Sequence, residues 1–330
     1  MTDVPGLVAV HAHPDDETLA TGALLATWAA SGGPVTVVTC TRGERGEVIG
    51  PALAHLEGDG PALAAHRERE LARAIEALGV AHTWLDALPG PDGRATATAR
   101  PARFEDSGMV WLAPGRAGAA PDSGAAAFAR AHVEDAAGRL AGLLRERRPR
   151  VVVTYEPGGG YGHPDHVRAH TVAMRAVEVA ADPTAGVRGA PHAVPVVLWA
   201  AVDAAALACA EAEVADRPEV AELRAGDGTT GAGALRLPEA DRAAPSAAVP
   251  AERVDLRVDV LPVLDRVAAA LRAHATQVQG VRTWPGAPGS ASLGCLALSD
   301  GVVQPLLRHE AYRVARGSAA DVSWPDGVAG

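Results

Sequence analysis

Short, uniformly apolar runs alternate with longer segments of helical apolar spacing through the first half of this chain. Leu7–Val10, Val35–Cys40, His82–Leu85 and Val151–Tyr155 carry the strand pattern. Between and after them, Glu17–Ala30, Ala62–Leu78, Gly124–Arg147 and Asp165–Ala181 carry the helix pattern. Each is closed by a stop signal: Gly32-Gly33-Pro34, Gly79, Pro149 and Pro183. Strands alternating with helices of this length predict a parallel sheet with right-handed crossovers. The runs Val35-Thr36-Val37-Val38 and Val151-Val152-Val153 suit strands buried on both faces.

Elsewhere the pattern weakens. Asp86–Ser123 is a long segment with Gly, Pro and Arg but little periodicity, as in functional or disordered loops. Val194–Val202 and Arg253–Val258 read as strands and Val260–Ala275 as a helix. Asp216–Pro250, rich in Ala, Gly and Pro, reads as a loop, and no internal repeat is visible. The expected fold is α/β: a Rossmann-like, mostly parallel sheet with helices on both faces and a smaller C-terminal α/β extension. The expected division is a metal-binding domain over residues 1–185. An extension over 186–330 then adds strands, a helix and part of the substrate pocket.

Composition narrows the function. With 330 residues and 48% hydrophobic content the chain can bury a sizeable core. Formal net charge is −10, all 30 basic residues are arginine, and neither lysine nor asparagine occurs, a bias that fits a GC-rich genome. An acidic, aromatic-poor chain lacks the basic stripe that nucleic acid requires, and without lysine there is no Walker A loop. The three cysteines, Cys40, Cys209 and Cys295, form no C-x-x-C pair and suit a reducing compartment. No signal peptide is evident, and the longest apolar stretch, near 194–210, is interrupted by Asp203 and too mixed to span a bilayer. The expectation is a soluble cytoplasmic protein without nucleic-acid or membrane partners. The sequence leaves its oligomeric state open.

Two clusters carry the chemistry. His11-Ala12-His13-Pro14-Asp15-Asp16-Glu17 follows the first strand, and His163-Pro164-Asp165-His166 follows the fourth. In open α/β sheets, sites form beyond the carboxyl ends of strands, where both clusters fall. Three protein ligands and an open position make a catalytic zinc site. His13 and Asp16, three residues apart, can aim at one point from a first helical turn, and a histidine of the second cluster completes a triad. Asp15 projects differently and suits a general base beside activated water. His11 reads as a buried, hydrogen-bonded histidine. Two histidines and a carboxylate suit Zn²⁺, with Fe²⁺ or Co²⁺ also admissible, one ion per subunit.

These motifs resemble the LmbE/PIG-L-type zinc N-acetylglucosamine deacetylase family. Further segments resemble its branch acting on N-acetylglucosaminyl-inositol in mycothiol biosynthesis. They are Thr39–Gly50, Arg67-x-x-Glu70-Leu71, Asp106-Ser107-Gly108-Met109, Gly159–His166 and Ala273–Val278. The resemblance implies His13, Asp16 and His166 as zinc ligands and Asp15 as general base. It implies His163 as general acid or electrostatic partner, Tyr161 as a mobile tyrosine helping the oxyanion, and Asp165 as orienting a histidine. Arg67 and Asp106 would contact the amino-sugar substrate. Without the resemblance, Arg67 belongs to a solvated Arg/Glu helix face. Asp106 alone reads as a turn residue, and His274 as a helix C-terminal histidine or one serving the substrate pocket or a partner subunit. Glu47 falls in a loop that can reach substrate.

The implied reaction is hydrolysis of an N-acetyl amide. The nearest alternative is the related mycothiol-conjugate amidase, in which a proline commonly stands where this chain has Gly162. Another N-acetylglucosaminide deacetylase, a metal-dependent binding protein and a nicotinamide enzyme are further alternatives. The last is weakened because Gly158-x-Gly160 is followed by His163 at the third glycine position of the dinucleotide fingerprint.

Overall fold

The computed structural model describes residues 6–90, 103–113, 116–225, 235–239 and 244–330. The strands are β1 (Leu7–His11), β2 (Val35–Thr39), β3 (Ala81–Trp84), β4 (Met109–Ala113), β5 (Arg116–Ala119), β6 (Val151–Tyr155), β7 (Val196–Asp203), β8 (Ala248–Val249), β9 (Leu256–Asp259), β10 (Gln279–Thr283), β11 (Ser292–Ala297), β12 (Val303–Leu307), β13 (His309–Arg316) and β14 (Val328–Ala329). The helices are α1 (Asp16–Ala30), α2 (Gly60–Leu78), α3 (Val133–Arg147), the single turn α4 (Gly159–Gly162), α5 (Pro164–Ala181), α6 (Ala204–Ala215), α7 (Pro218–Ala225) and α8 (Leu264–Ala273).

One sheet organises the molecule, in the order β14-β9-β13-β7-β6-β1-β2-β3, with β8 beside β7. The strands from β7 to β3 run parallel, whereas β13, β9 and β14 join antiparallel. The parallel part has the expected mostly parallel α/β architecture. Residues beyond 185 extend the same sheet and add a separate antiparallel sheet, β10-β11-β12.

Side-chain alternation explains how the sheet is sandwiched. Leu7, Ala9, Val35, Val37, Val151 and Val153 point to one face, where Leu24, Trp28, Leu71, Leu78 and Leu271 of α1, α2 and α8 cover them. Val8, Val10, Val38 and Val152 point to the other, against Leu140, Leu144, Val172 and Ala176 of α3 and α5. These strands are buried throughout, as uniform apolar runs require. Among the described residues no helix is long and apolar enough to cross a membrane.

Several sequence expectations need correction. The helix expected over 124–147 begins only at Val133. The preceding stretch pairs with the loop before β4, Phe128 N–H donating to the Glu105 carbonyl at 2.8 Å, while the Phe128 ring is buried in the core. Tertiary packing thus overrides an alanine-rich helical pattern. The 216–250 stretch contains helix α7, opened by Pro218 at a first-turn position and anchored by buried Val220. The strand expected from Arg253 starts at Leu256 because 251–253 form a 3-10 turn. The helix expected over 260–275 is confined to Leu264–Ala273, preceded by another such turn. The 86–123 segment contains the β4–β5 hairpin, with part of its length outside the described residues.

Candidate metal centre

The parallel strand order reverses between β1 and β6, and the two His/Asp clusters leave the sheet there. This is where an open α/β sheet leaves a crevice. The first cluster runs from β1 into α1, whose first turn carries Asp16 and Glu17 at the positive end of the helix dipole. The second leaves β6 through the glycine turn α4 and enters α5 with Pro164 in its first turn.

Asp16 lies between two imidazoles. Its Oδ2 is 3.3 Å from His13 Nδ1 and its Oδ1 is 3.3 Å from His166 Nε2. Its Oδ2 also accepts the His13 backbone N–H at 2.9 Å. His166 Nδ1 lies 3.1 Å from the Gly159 carbonyl and must donate to it, so the neutral ring presents a bare Nε2. That nitrogen is buried, has no hydrogen-bond partner and faces a carboxylate oxygen. Two electron-rich atoms facing each other in a buried space fit a cation between them. The residues present therefore fit a divalent metal.

His13 is held from its other side. Its Nε2 lies 3.2 Å from Asp165 Oδ2 and 3.7 Å from Asp106 Oδ1. Burial works to lower its pKa. Asp106, Asp16 and Asp165 outweigh burial and hold the imidazole well above its ordinary range. Asp165 accepts from the Ser107 backbone N–H at 2.9 Å and from the Ser107 hydroxyl. Asp106 accepts from the Gly108 and Arg45 amides at 2.8 and 3.2 Å. The Tyr155 ring stacks on His166 at 4.3 Å between centroids, and its hydroxyl accepts the Ala12 N–H at 2.8 Å.

His163 is placed differently. Its Nδ1 accepts the Asp165 backbone N–H at 3.1 Å, so the neutral ring carries its hydrogen on Nε2. Burial, reinforced by His13 and His166, pushes its pKa well below the ordinary value. A ring nitrogen from each of His13, His163 and His166 falls within 4.8 Å of the others, and His13, Asp106 and Asp165 form a second such group. Within the first group, His163 offers an N–H rather than a lone pair. The Tyr161 ring lies 5.2 Å from that of His166 and 6.0 Å from that of His163.

Asp15 has its own setting. Burial raises its pKa to about 6, against the opposing pull of Arg67. Arg67 is 3% exposed, which overturns the solvated-face reading. Its guanidinium donates to Asp15 Oδ2 at 3.1 Å, to the Gly43 carbonyl at 2.7 Å and to the Pro14 carbonyl. Gly43 permits this, since a Cβ there would strike the guanidinium. His11 is buried and bonded to Thr21 Oγ1 at 2.9 Å, as expected.

Sequence reasoning missed Tyr155, Ser107 and Glu17. Glu17 is fully buried and bonded to His274, which the sequence left as a helix-end or pocket residue. Glu17 directly adjoins the Asp15-Asp16 pair of the first His/Asp cluster, and that adjacency was the available signal.

The family described as PIG-L: GlcNAc-PI de-N-acetylase matches residues 8–177. The chain is 45% identical over 316 residues to the 1D-myo-inositol 2-acetamido-2-deoxy-alpha-D-glucopyranoside deacetylase of Kineococcus radiotolerans, covering 95% of this chain and 78% of that one. Proteins of the same name are similar in Streptomyces avermitilis (40% over 330 residues; 96% and 95% covered) and Streptomyces griseus subsp. griseus (41% over 321 residues; 96% and 86% covered).

Proposed function

The chain belongs to the PIG-L family of GlcNAc-PI de-N-acetylases, and from that premise we propose that it hydrolyses the N-acetyl amide of 1D-myo-inositol 2-acetamido-2-deoxy-alpha-D-glucopyranoside. The products are acetate and the glucosaminyl-inositol, a step of mycothiol biosynthesis. The shared name of relatives at 40–45% identity over nearly the whole chain supports the substrate. The single observation that carries the chemistry is the Asp16 carboxylate between His13 and His166, with the separate carboxylate of Asp15 beside it.

In this reading His13, Asp16 and His166 hold one divalent cation, with Zn²⁺ the best fit to the donor set and Fe²⁺ or Co²⁺ admissible. When bound, such an ion polarises an amide carbonyl and acidifies water. Asp15, with its pKa near 6, accepts the proton of the attacking water and returns it to the departing amine. His163, neutral and carrying its hydrogen on Nε2, donates a hydrogen bond to the developing oxyanion without changing charge. Tyr161 adds a hydroxyl donor from the same glycine turn. Asp165 and Asp106 fix the His13 ring, the carboxylate–histidine support typical of metal ligands. Arg67 acts here on Asp15 and the Pro14 backbone.

Gly162 favours the deacetylase over the conjugate amidase. Its φ is +90°, and a Cβ there would lie 2.9 Å from the Ala117 carbonyl oxygen. Proline, fixed near −65°, does not fit this turn. The three cysteines are free, which suits the cytoplasm as the site of the reaction.

The test is metal analysis of the purified protein together with acetate release from N-acetylglucosaminyl-inositol and amide cleavage of a mycothiol conjugate. Bound divalent metal and a higher kcat/KM for the first substrate support the proposal. A higher kcat/KM for the conjugate would overturn the substrate assignment.

A further inference from the structure

Glu17 and His274 are both fully buried and meet across 257 residues of sequence. Glu17 Oε1 accepts from His274 Nε2 at 2.8 Å and from the Thr18 hydroxyl at 2.6 Å. Its Oε2 accepts the backbone N–H of Asp15 at 2.9 Å. The second ring nitrogen of His274 has no hydrogen-bond partner, so the ring's one hydrogen bond is to Glu17.

Asp15 needs such a grip. Its φ of 113° lies where a residue with a Cβ meets steric clash. Conformations of this kind persist only when the surroundings over-determine them. Arg67 holds the Asp15 carboxylate, and Thr18 and Leu19 donate their amides to its carbonyl at 2.9 Å each. The Asp15 N–H is left to Glu17, and Glu17 is held by His274.

His274 is itself fixed from outside. It caps the C-terminus of α8, and the turn that follows is fastened to two other elements. The Thr276 N–H and hydroxyl donate to Glu70 of α2 at 2.9 and 2.6 Å. Ile49 N–H donates to the Thr276 carbonyl at 3.0 Å, and the Gln277 amide donates to the Glu47 carbonyl at 2.7 Å.

We propose that Glu17 and His274 are a positioning pair that locks Asp15 in its positive-φ conformation and thereby aims its carboxylate at the reacting water. The inference rests on Asp15 being the base. Neither residue touches substrate; both act through the Asp15 backbone.

Four variants test it: Glu17→Gln, His274→Gln, Asp15→Asn and the double variant Glu17→Gln/Asp15→Asn. Each is measured for metal content, melting temperature, and kcat and KM of acetate release. Glu17→Gln and His274→Gln are expected to keep their metal and lose about 10–100-fold in kcat, with KM moving less than about threefold. Added to Asp15→Asn, Glu17→Gln is expected to cost less than about twofold more, because the carboxylate it aims is already gone. In metal-free protein, the Asp15 amide proton resonance is expected to move upfield in Glu17→Gln as its charge-assisted bond weakens. An equal kcat loss in both backgrounds, or undiminished kcat in folded Glu17→Gln, overturns the inference. Should Glu17→Gln not fold, His274→Gln and its double variant with Asp15→Asn decide by the same criteria. Near wild-type turnover by Asp15→Asn overturns the base assignment itself and the inference with it.

Discussion

Asp15 and Arg67 form a buried ion pair, 3.1 Å from Oδ2 to Nη2, and the same guanidinium holds the carbonyls of Pro14, after β1, and Gly43, after β2. Burial pushes the Asp15 pKa up to about 6, and Arg67 is the strongest force pulling it back. An Arg67→Met variant removes that pull. A base works only when deprotonated, so the acidic limb of the kcat/KM profile is expected to move to higher pH, by about one unit or more. Profiles from pH 5 to 9 read this directly. An unmoved limb means that Arg67 serves Asp15 by position alone.

Asp15→Asn keeps the shape of the side chain and discards its basicity. We expect metal content to stay and acetate release to fall by about 10²–10⁴. His166→Ala, by contrast, takes away the bare Nε2, and we expect the protein to be purified without stoichiometric metal. Elemental analysis beside an acetate assay separates the two outcomes.

Metal affinity should depend steeply on pH. Asp106, Asp16 and Asp165 overcome burial to keep His13 protonated above its usual range, and a proton on Nδ1 competes with the cation. Below the raised pKa, each unit of falling pH is expected to weaken binding about tenfold, with a proton released on association. Calorimetry in buffers of different ionisation enthalpy counts that proton. A count of zero at pH 6 would contradict the arrangement.

Gly162→Ala places a Cβ against the Ala117 carbonyl of β5 and strains a backbone at φ +90°. The turn carrying Tyr161 and His163 must then shift. We expect a loss of about 1–3 kcal/mol in stability and a fall in kcat larger than in KM. Thermal melts and steady-state kinetics check the pair of effects.

Arg145 is buried in α3 and donates to the carbonyls of Val179, Ala180, Asp182, Val187 and Gly189, closing the end of α5 and the loop after it. Arg145→Leu removes the guanidinium from these carbonyls, of which, among the described residues, only Ala180 and Asp182 keep another donor, the amides of His192 and Ala185. A cost of about 3 kcal/mol is expected, or a melting point roughly 4 °C lower for a chain of 330 residues, with kcat at 25 °C unchanged because the site lies beyond the opposite end of β6.

The parallel half of the fold was legible because its signals are local. Val151-Val152-Val153 is apolar on both faces, and Gly79 ends α2 in a left-handed cap, φ 76°. The helix proposed from Gly124 misled because Phe128 and Glu105 pair across the chain, and no local pattern records such a contact. The same limit applied to the site. His13, Asp15, Asp16, His163 and His166 announce themselves by residue type and by following strands. Arg67 showed only a charged helix face, and its burial depends on the absence of a side chain at Gly43, more than twenty residues away. Tyr155 looked like the end of a strand, and only the folded chain lays its ring on His166.

The link from α8 back to α1 has a consequence for synthesis. A chain still on the ribosome with its first 200 residues free already carries both histidine motifs, yet the imidazole that Glu17 grips has not been made. Products terminated before residue 274 lack the partner of Glu17, and they are expected to release acetate at least about 10–100-fold more slowly even where their parallel strands assemble.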